Sequence, residues 1–163
     1  MEVTEIPGIG VVVAPGFPAA SLASMWPSVY ALPEPDRMSV ILALVAAANR
    51  HRSCAADSEQ FPAALVELAT DPWPYESSLF SFFTAGLSAL ECLAFGIHAL
   101  GHAADPKTFP METEAQRRAV NIKLTSARLT TARPDDGVTH VVQELVADEA
   151  YSDWLIIDRK SVV

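Results

Sequence analysis

The sequence predicts an all-α fold: a single helical bundle spanning residues 1–163, with a short extended arm or hairpin at its amino terminus. Three observations support this prediction. From Ser21 onward alanine and leucine dominate, and the alternation typical of strands is absent. One segment, Leu79 to Leu100, contains a single formally charged side chain, Glu91. Half of the residues are hydrophobic and only 19% are charged, as in a compact chain with a large apolar interior.

The individual elements follow from apolar spacing and from helix start and stop signals. Residues 1–16 combine β-branched runs with Pro and Gly, which favours the hairpin or arm. Thr113 and Glu114 resemble the start of a capped amphipathic segment, METEAQRRAVNIKL. The segment LTSARLTTARPDD, residues 124–136, is predicted to be irregular or weakly helical. Further helices are expected near residues 20–31, 35–52, 58–70, 75–103, 136–147 and 149–161.

The long apolar segment is compatible by length with a membrane span or with a buried helix. Neither flank carries a cluster of Lys and Arg, and Glu91 near the midpoint would cost about 2.5 kcal/mol or more on insertion. We therefore expect no membrane, and a helix at the centre of the bundle. Small residues recur on one face of this helix, where another backbone can approach closely: Thr84, Ser88, Cys92 and Gly96.

Charge and cysteine content restrict the class of protein. The net charge of −9 repels a phosphate backbone at long range, which argues against general nucleic-acid binding. The two cysteines form no disulfide framework, and the amino terminus lacks the features of a secretory signal. We expect a cytoplasmic protein that forms a homodimer through an apolar helix face.

The candidate site residues on the central helix are Glu91, His98 and His102, which share a narrow angular sector. A buried carboxylate needs a partner, and Arg159 is our first choice; nearby hydroxyls or water are the alternative. His98 and His102 are candidate metal ligands. Two histidines and a distant carboxylate fall short of a complete ligand set, so no cofactor is expected. The alternative is a half-buried His98 and a His102 at the frayed helix end.

A cluster of basic residues follows the central helix. Five of the eleven Lys and Arg side chains fall within seventeen positions, which could form a ligand-binding face for phosphate groups, RNA included. A solvated surface is the alternative interpretation. The cluster comprises Arg117, Arg118, Lys123, Arg128 and Arg133.

The segment SALECLAFGIHALGHAADPKTFP, taken with ELVADEAYSDWLIIDRK, resembles all-helical HEPN-type domains over about residues 76–160. The resemblance implies that Glu91 is the acidic residue of a long helix and Arg159 the arginine of a late helix. In catalytic members, an Arg and a His near a dimer interface cleave RNA without a metal, and other members bind or dimerise. The histidine would fall at or beyond Val163, so we expect a shortened sequence and no nuclease activity.

The leading hypothesis from the sequence is a non-catalytic helical interaction or regulatory module that forms a homodimer, with a protein or RNA partner. The first alternative is a HEPN-like, metal-independent RNase of the toxin type whose motif is incomplete here. The second alternative is a helix-bundle metal-binding protein that uses His98 and His102.

Overall fold

A computed structural model describes residues 4–6, 11–13, 27–149 and 151–153. Within these residues the chain is an all-α bundle with an amino-terminal hairpin, which confirms the predicted fold class. Strands β1 (Thr4–Ile6) and β2 (Val11–Val13) pair in antiparallel register, and β2 contacts the first long helix. The helices are α1 (Glu34–Glu67), α2 (Trp73–Ala104), α3 (Glu114–Ala119), α4 (Ile122–Ala132) and α5 (Gly137–Ala147).

Two predicted helices lie partly outside the described residues. Residues 27–30 are helical, within the range predicted at 20–31, and residues 151–153 are helical, within the range predicted at 149–161. Trp154 to Val163, including Arg159, lie outside the part of the chain that the structure describes.

Helices α1 and α2 form a long antiparallel hairpin. Asp36 at the start of α1 lies beside His102 at the end of α2, whereas Phe61 near the end of α1 contacts the ring of Tyr75. A methyl group added at Gly96 would lie 3.3 Å from the Ala43 Cβ atom, so the two backbones approach closely there. Small residues on both helices thus allow tight packing at this crossing.

The predicted break between residues 52 and 58 is wrong, because α1 is continuous from Glu34 to Glu67. Neither Gly nor Pro occurs between residues 52 and 58, and the polar residues there are compatible with a helix. The hydroxyl of Ser53 donates to the carbonyl oxygen of Asn49, and that of Ser58 donates to Ala55. These hydroxyls bond the preceding turn of their own helix, as Ser side chains do inside helices.

The region after α2 also differs from the prediction. Thr113 caps α3 in a reciprocal capping box with Gln116, as its position predicted, but α3 ends at Ala119. Asn121 then caps a second helix, its side chain accepting a hydrogen bond from the backbone N–H of Leu124 at 2.9 Å. Residues 124–132 are therefore helical, and the prediction of an irregular segment is wrong there.

Helix α2 lies at the centre, with α1 on one side and α4 on the other. Ile122 bonds to Glu91 and Thr125 to Ala94, so α4 runs parallel to α2 with an offset of 31 residues. Helix α5 packs on α4. Within the described residues, α2 is the one helix that is long and apolar enough to cross a membrane by length and composition. The buried residues of α2 are Ala85, Gly86, Leu87, Ala89, Ala94, Gly96, His98 and Ala99.

Candidate functional site

The half-buried Glu91 carboxylate lies where three helical segments meet. It accepts a hydrogen bond from the backbone N–H of Ile122 at 3.1 Å, and the hydroxyl of Tyr151 donates to it at 3.5 Å. Burial raises the pKa of Glu91, and these two donors act in the opposite direction. Burial and the Glu91 charge raise the pKa of Tyr151 to about 12, so its hydroxyl remains a donor at neutral pH.

The Tyr151 hydroxyl is a partner of the kind that the sequence left open as the alternative to Arg159. The preferred partner, Arg159, lies outside the described residues. The backbone N–H of Ile122 belongs to the first turn of α4, where the helix dipole favours a negative charge. Glu91 therefore joins α2 to α4 and to the segment of Tyr151.

His98 of α2 is completely buried where this helix packs against α4. Its Nδ1 atom lies 3.3 Å from the hydroxyl oxygen of Thr125, and its ring packs edge-on against Phe109 at 5.2 Å. Its Nε2 atom is buried without a hydrogen-bond partner among the described residues. The backbone carbonyl of Pro110 acts to raise the pKa of His98, but it does not form a hydrogen bond with the Nε2 atom.

Burial lowers the pKa of His98, and the charges of Arg128 and His102 act in the same direction. The imidazole is thus neutral at pH 7. Its Nδ1 atom has a hydrogen-bond partner, whereas its Nε2 atom has none among the described residues. The side chain is fully buried, not half-buried as in the alternative drawn from the sequence.

His102 is held in place at the end of α2. Its Nδ1 atom lies 2.8 Å from the carbonyl oxygen of Phe109, and because a carbonyl can only accept, Nδ1 carries the proton. Its Nε2 atom lies 3.8 Å from a carboxylate oxygen of Asp36. The side chain therefore ties the loop after α2 to the first turn of α1, and it does not lie at a frayed end.

The structure does not place Glu91, His98 and His102 around a common metal position. Glu91 and His98 are seven residues apart on one helix, about 10 Å along its axis. Each histidine already contacts a hydroxyl or a carbonyl through Nδ1. No cluster of three or more His, Cys, Asp or Glu side chains suited to a metal ion occurs in the residues that the structure describes.

The predicted basic face is partly occupied by local contacts. Arg117 donates to the carbonyl oxygens of Met111 and Glu112, which fixes the chain before α3. Arg118 forms an ion pair with Glu114 one turn earlier in the same helix. Lys123 is exposed on α4. Arg117 and Arg118, two of the five basic residues of the predicted cluster, are thus bonded within their own segment.

A mostly apolar cleft of about 540 Å³ lies between α1, α2, α4 and α5. Its charged lining residues are Asp105, Arg133 and Asp136. No local sequence signal could have revealed it, because its walls come from residues nearly one hundred positions apart. The apolar walls include Val40, Leu44, Leu93, Ile97, Leu100, Phe109 and Leu129.

Large apolar side chains are exposed at the turn that joins α1 to α2. Val66 is 84% exposed and Trp73 is 70% exposed, at the end of one helix and the start of the next. We call this surface the apolar tip. It comprises Leu65, Val66, Leu68, Trp73 and Phe80.

Comparisons with known protein families, with curated proteins and with solved structures found no match to this chain. The fold and these surfaces define the class of protein as an all-α helical bundle.

Proposed function

We propose that this chain is a non-catalytic helical interaction module that forms a homodimer through the apolar tip. The observation that carries the proposal is the exposure of Val66 and Trp73, which lie on either side of the α1–α2 turn, at the end of α1 and the start of α2. Clustered exposed apolar side chains on a folded domain mark interaction surfaces, whereas isolated ones need no explanation. Tryptophan is also enriched among the residues that contribute most to interfaces.

The size of the hydrophobic effect sets the expected strength of this dimer. Complete burial of an apolar side chain of this size contributes about 1.5–3 kcal/mol, so four such side chains, Val66 and Trp73 from both copies, contribute about 6–12 kcal/mol. Association costs about 4–15 kcal/mol in lost translational and rotational freedom. The two ranges overlap, so the apolar tip supports a weak, concentration-dependent dimer.

Charge favours a second copy over a lipid or RNA partner. The turn carries Glu67, Asp71 and Glu76, and no Lys or Arg occurs from Ser53 to Ala104. Such an acidic surface repels anionic lipid and phosphate backbones. In a two-fold contact the same apolar patch faces itself, and the carboxylates can remain at the solvated rim. Their repulsion is screened by salt, so added salt strengthens this dimer.

Sedimentation velocity over a concentration series tests the proposal. We expect the wild-type chain to dimerise, more tightly at higher salt, and the Val66→Ser/Trp73→Ser variant to be monomeric at the same concentrations. Val141→Ser is the matched control, because Val141 is an exposed valine on α5, away from the tip. A wild-type monomer at every concentration, or a dimer weakened by Val141→Ser and not by the tip variant, would contradict the proposal.

A second candidate function is that of a HEPN-like RNase of the toxin type. One observation favours it: Glu91, the acidic residue of the long helix in that resemblance, accepts a hydrogen bond from Tyr151 in the late helical segment. Incubation with single-stranded RNA and a chelator distinguishes the two candidates. Efficient cleavage would favour the RNase, and the interaction module predicts none.

A further inference from the structure

We propose that the cleft between α1, α2, α4 and α5 binds a small amphipathic molecule with an apolar body and one positively charged ammonium group. This site shares no residue with the apolar tip, so it is independent of the proposed dimer. Three features support it: the volume and walls of the cleft, the position of its charged residues, and the sign of their charge.

The cleft has the size and lining of a small-molecule site. Its volume of about 540 Å³ lies within the range of about 300–1,000 Å³ that is typical of ligand pockets. Side chains of α1 and α2 form one apolar wall, and Leu129 of α4 and the buried Phe109 contribute to the rest. Gly96 and Gly101 also line it, and their missing side chains allow Ala43 and Phe109 to pack closely against α2 beside the cleft.

The charged residues collect at one end of the cleft. Asp105 follows the last residue of α2, and Arg133 follows the last residue of α4. Because α2 and α4 run parallel with an offset of 31 residues, their carboxyl ends lie side by side. Asp136, which caps the start of α5, lies only three residues beyond Arg133. A ligand in the cleft is therefore apolar along its length and polar at one end.

The sign of the charge at this end favours a cation. Among the lining residues, two carboxylates and one guanidinium leave one net negative charge. The Lys107 ammonium, which acts on Asp105, lies outside the lining. The carboxyl ends of α2 and α4 add the negative ends of two helix dipoles, each equivalent to about half a charge, and the start of α5 offsets one of them. The whole chain carries −9, which attracts cations to the cleft from a distance.

Both carboxylates are fixed by bonds to the backbone. Asp105 accepts hydrogen bonds from the N–H groups of Lys107 at 3.2 Å and Thr108 at 3.3 Å. Hydrogen bonds from the Thr108 side chain and backbone lower the pKa of Asp105, so it is ionised at neutral pH. Asp136 accepts from the N–H of Val138 at 2.8 Å. Fixed, ionised carboxylates recognise an ammonium group at a small cost in side-chain entropy.

Isothermal titration calorimetry with three ten-carbon probes below their micelle concentrations tests the proposal: decylamine, decanol and decanoate. We expect decylamine to bind the full chain most tightly and decanoate least tightly. Asp105→Asn and Asp136→Asn should each weaken decylamine binding about fivefold, as expected for one partly exposed charge pair. Asparagine keeps the capping oxygen, so both helix ends are retained. Asp135→Asn is the control, because Asp135 does not line the cleft.

A blocking variant tests the position of the ligand. Ala132 lines the cleft at an exposed position of α4, so Ala132→Phe can fill the cleft without disturbing the core. We expect this variant to lose decylamine binding and to keep the wild-type oligomeric state. Equal binding of decanol or decanoate, or equal effects of Asp135→Asn and the two cleft variants, would overturn the cation assignment. Binding unchanged by Ala132→Phe would overturn the ligand site, and a change in the oligomeric state of this variant would contradict the independence of the cleft from the dimer.

Discussion

The carboxylate of Glu91 on α2 accepts a hydrogen bond from the backbone N–H of Ile122, the first residue of α4, at 3.1 Å. This contact answers why a charged side chain occurs in the most apolar segment of the chain. The first N–H groups of a helix have no partner within the helix, and a negative charge near them is favourable. Glu91 therefore fixes the start of α4 beside the middle of α2, and the contact of Thr125 with Ala94 sets the parallel direction of the two helices.

Replacing Glu91 with Gln should lower the free energy of unfolding by about 1 kcal/mol, the value of one hydrogen bond. The amide oxygen can still accept from Ile122, but the amide nitrogen cannot accept from the Tyr151 hydroxyl, so that hydrogen bond is lost. Urea denaturation measures this loss, with Glu144→Gln on the exposed face of α5 as the control.

A larger loss would indicate a different partner for Glu91. Removing one member of a buried ion pair costs about 3–5 kcal/mol, so a loss of that size would favour the arginine partner that the sequence predicted, Arg159. A loss below about half a kcal/mol would contradict a role of Glu91 in joining the helices.

Gly101→Ala should destabilise the protein by about 1–3 kcal/mol, as expected for overpacking. A methyl group at this position would lie 2.6 Å from the base of the Phe109 ring, and Phe109 is only 2% exposed. Gly137→Ala is the matched control, because no atom lies within 4 Å of the added methyl group. Thermal unfolding compares the two variants. Equal melting temperatures would contradict the close contact between α2 and the following loop.

Acidification should destabilise the protein through His98, whose pKa is lowered mainly by burial. The unfolded chain takes up a proton as the pH falls through about 6.5, whereas the buried ring remains neutral to a lower pH. The unfolded state thus binds more protons below pH 6.5, and the free energy of unfolding decreases from there toward the folded pKa.

The raised pKa of Glu91 acts in the opposite sense, because its contribution to stability is lost as the pH rises through its folded pKa. The free energy of unfolding of wild type and of His98→Gln, measured by denaturation from pH 7 to pH 5, separates the contribution of His98 from that of Glu91. We expect a flatter profile for His98→Gln and a wild-type slope for His140→Gln, which changes an exposed histidine on α5. Parallel profiles for all three chains would contradict the assignment.

The chain should not float with lipid vesicles, zwitterionic or anionic, although α2 is long and apolar enough to cross a membrane. Insertion would bury the Glu91 charge and remove α2 from its contacts with α1 and α4. A flotation assay measures this. Co-flotation that is lost in the Val66→Ser/Trp73→Ser variant would identify the apolar tip as a membrane-binding surface, against the proposed dimer.

The sequence was most informative where a single local signal determines the structure. The segment from Leu79 to Leu100, with Glu91 as its single charged residue, predicted a helix near 75–103, and the structure places α2 at Trp73–Ala104. Thr113 was correctly placed at a helix start, since its hydroxyl accepts from the N–H of Gln116.

The errors arose where polar residues were interpreted as breaks. The hydroxyls of Ser53, Ser58, Thr130 and Thr131 donate to carbonyls of their own helices, so their polarity does not interrupt the helix. Asn121 was not recognised as a cap, although Asn is among the strongest capping residues. Its position before Ile122 is the signal that could have revealed α4.

Contacts between distant segments were beyond the reach of local patterns. The burial of His98 depends on Thr125 and Phe109, which come from α4 and from the loop after α2. The cleft depends on the parallel offset of α2 and α4, which no periodicity within either helix encodes.

The most direct test of the proposed dimer is disulfide trapping at the tip, in a chain whose Cys54 and Cys92 are replaced by alanine. Thr70 and Thr131 are both exposed, and their hydroxyls donate to the carbonyl oxygens of Glu67 and Ala127, respectively. Thr70→Cys lies in the α1–α2 turn, and Thr131→Cys lies on α4. Upon mild oxidation we predict a covalent dimer for Thr70→Cys at concentrations where Thr131→Cys remains monomeric. Equal trapping at both positions, or none at Thr70→Cys, would contradict a homodimer formed through the apolar tip.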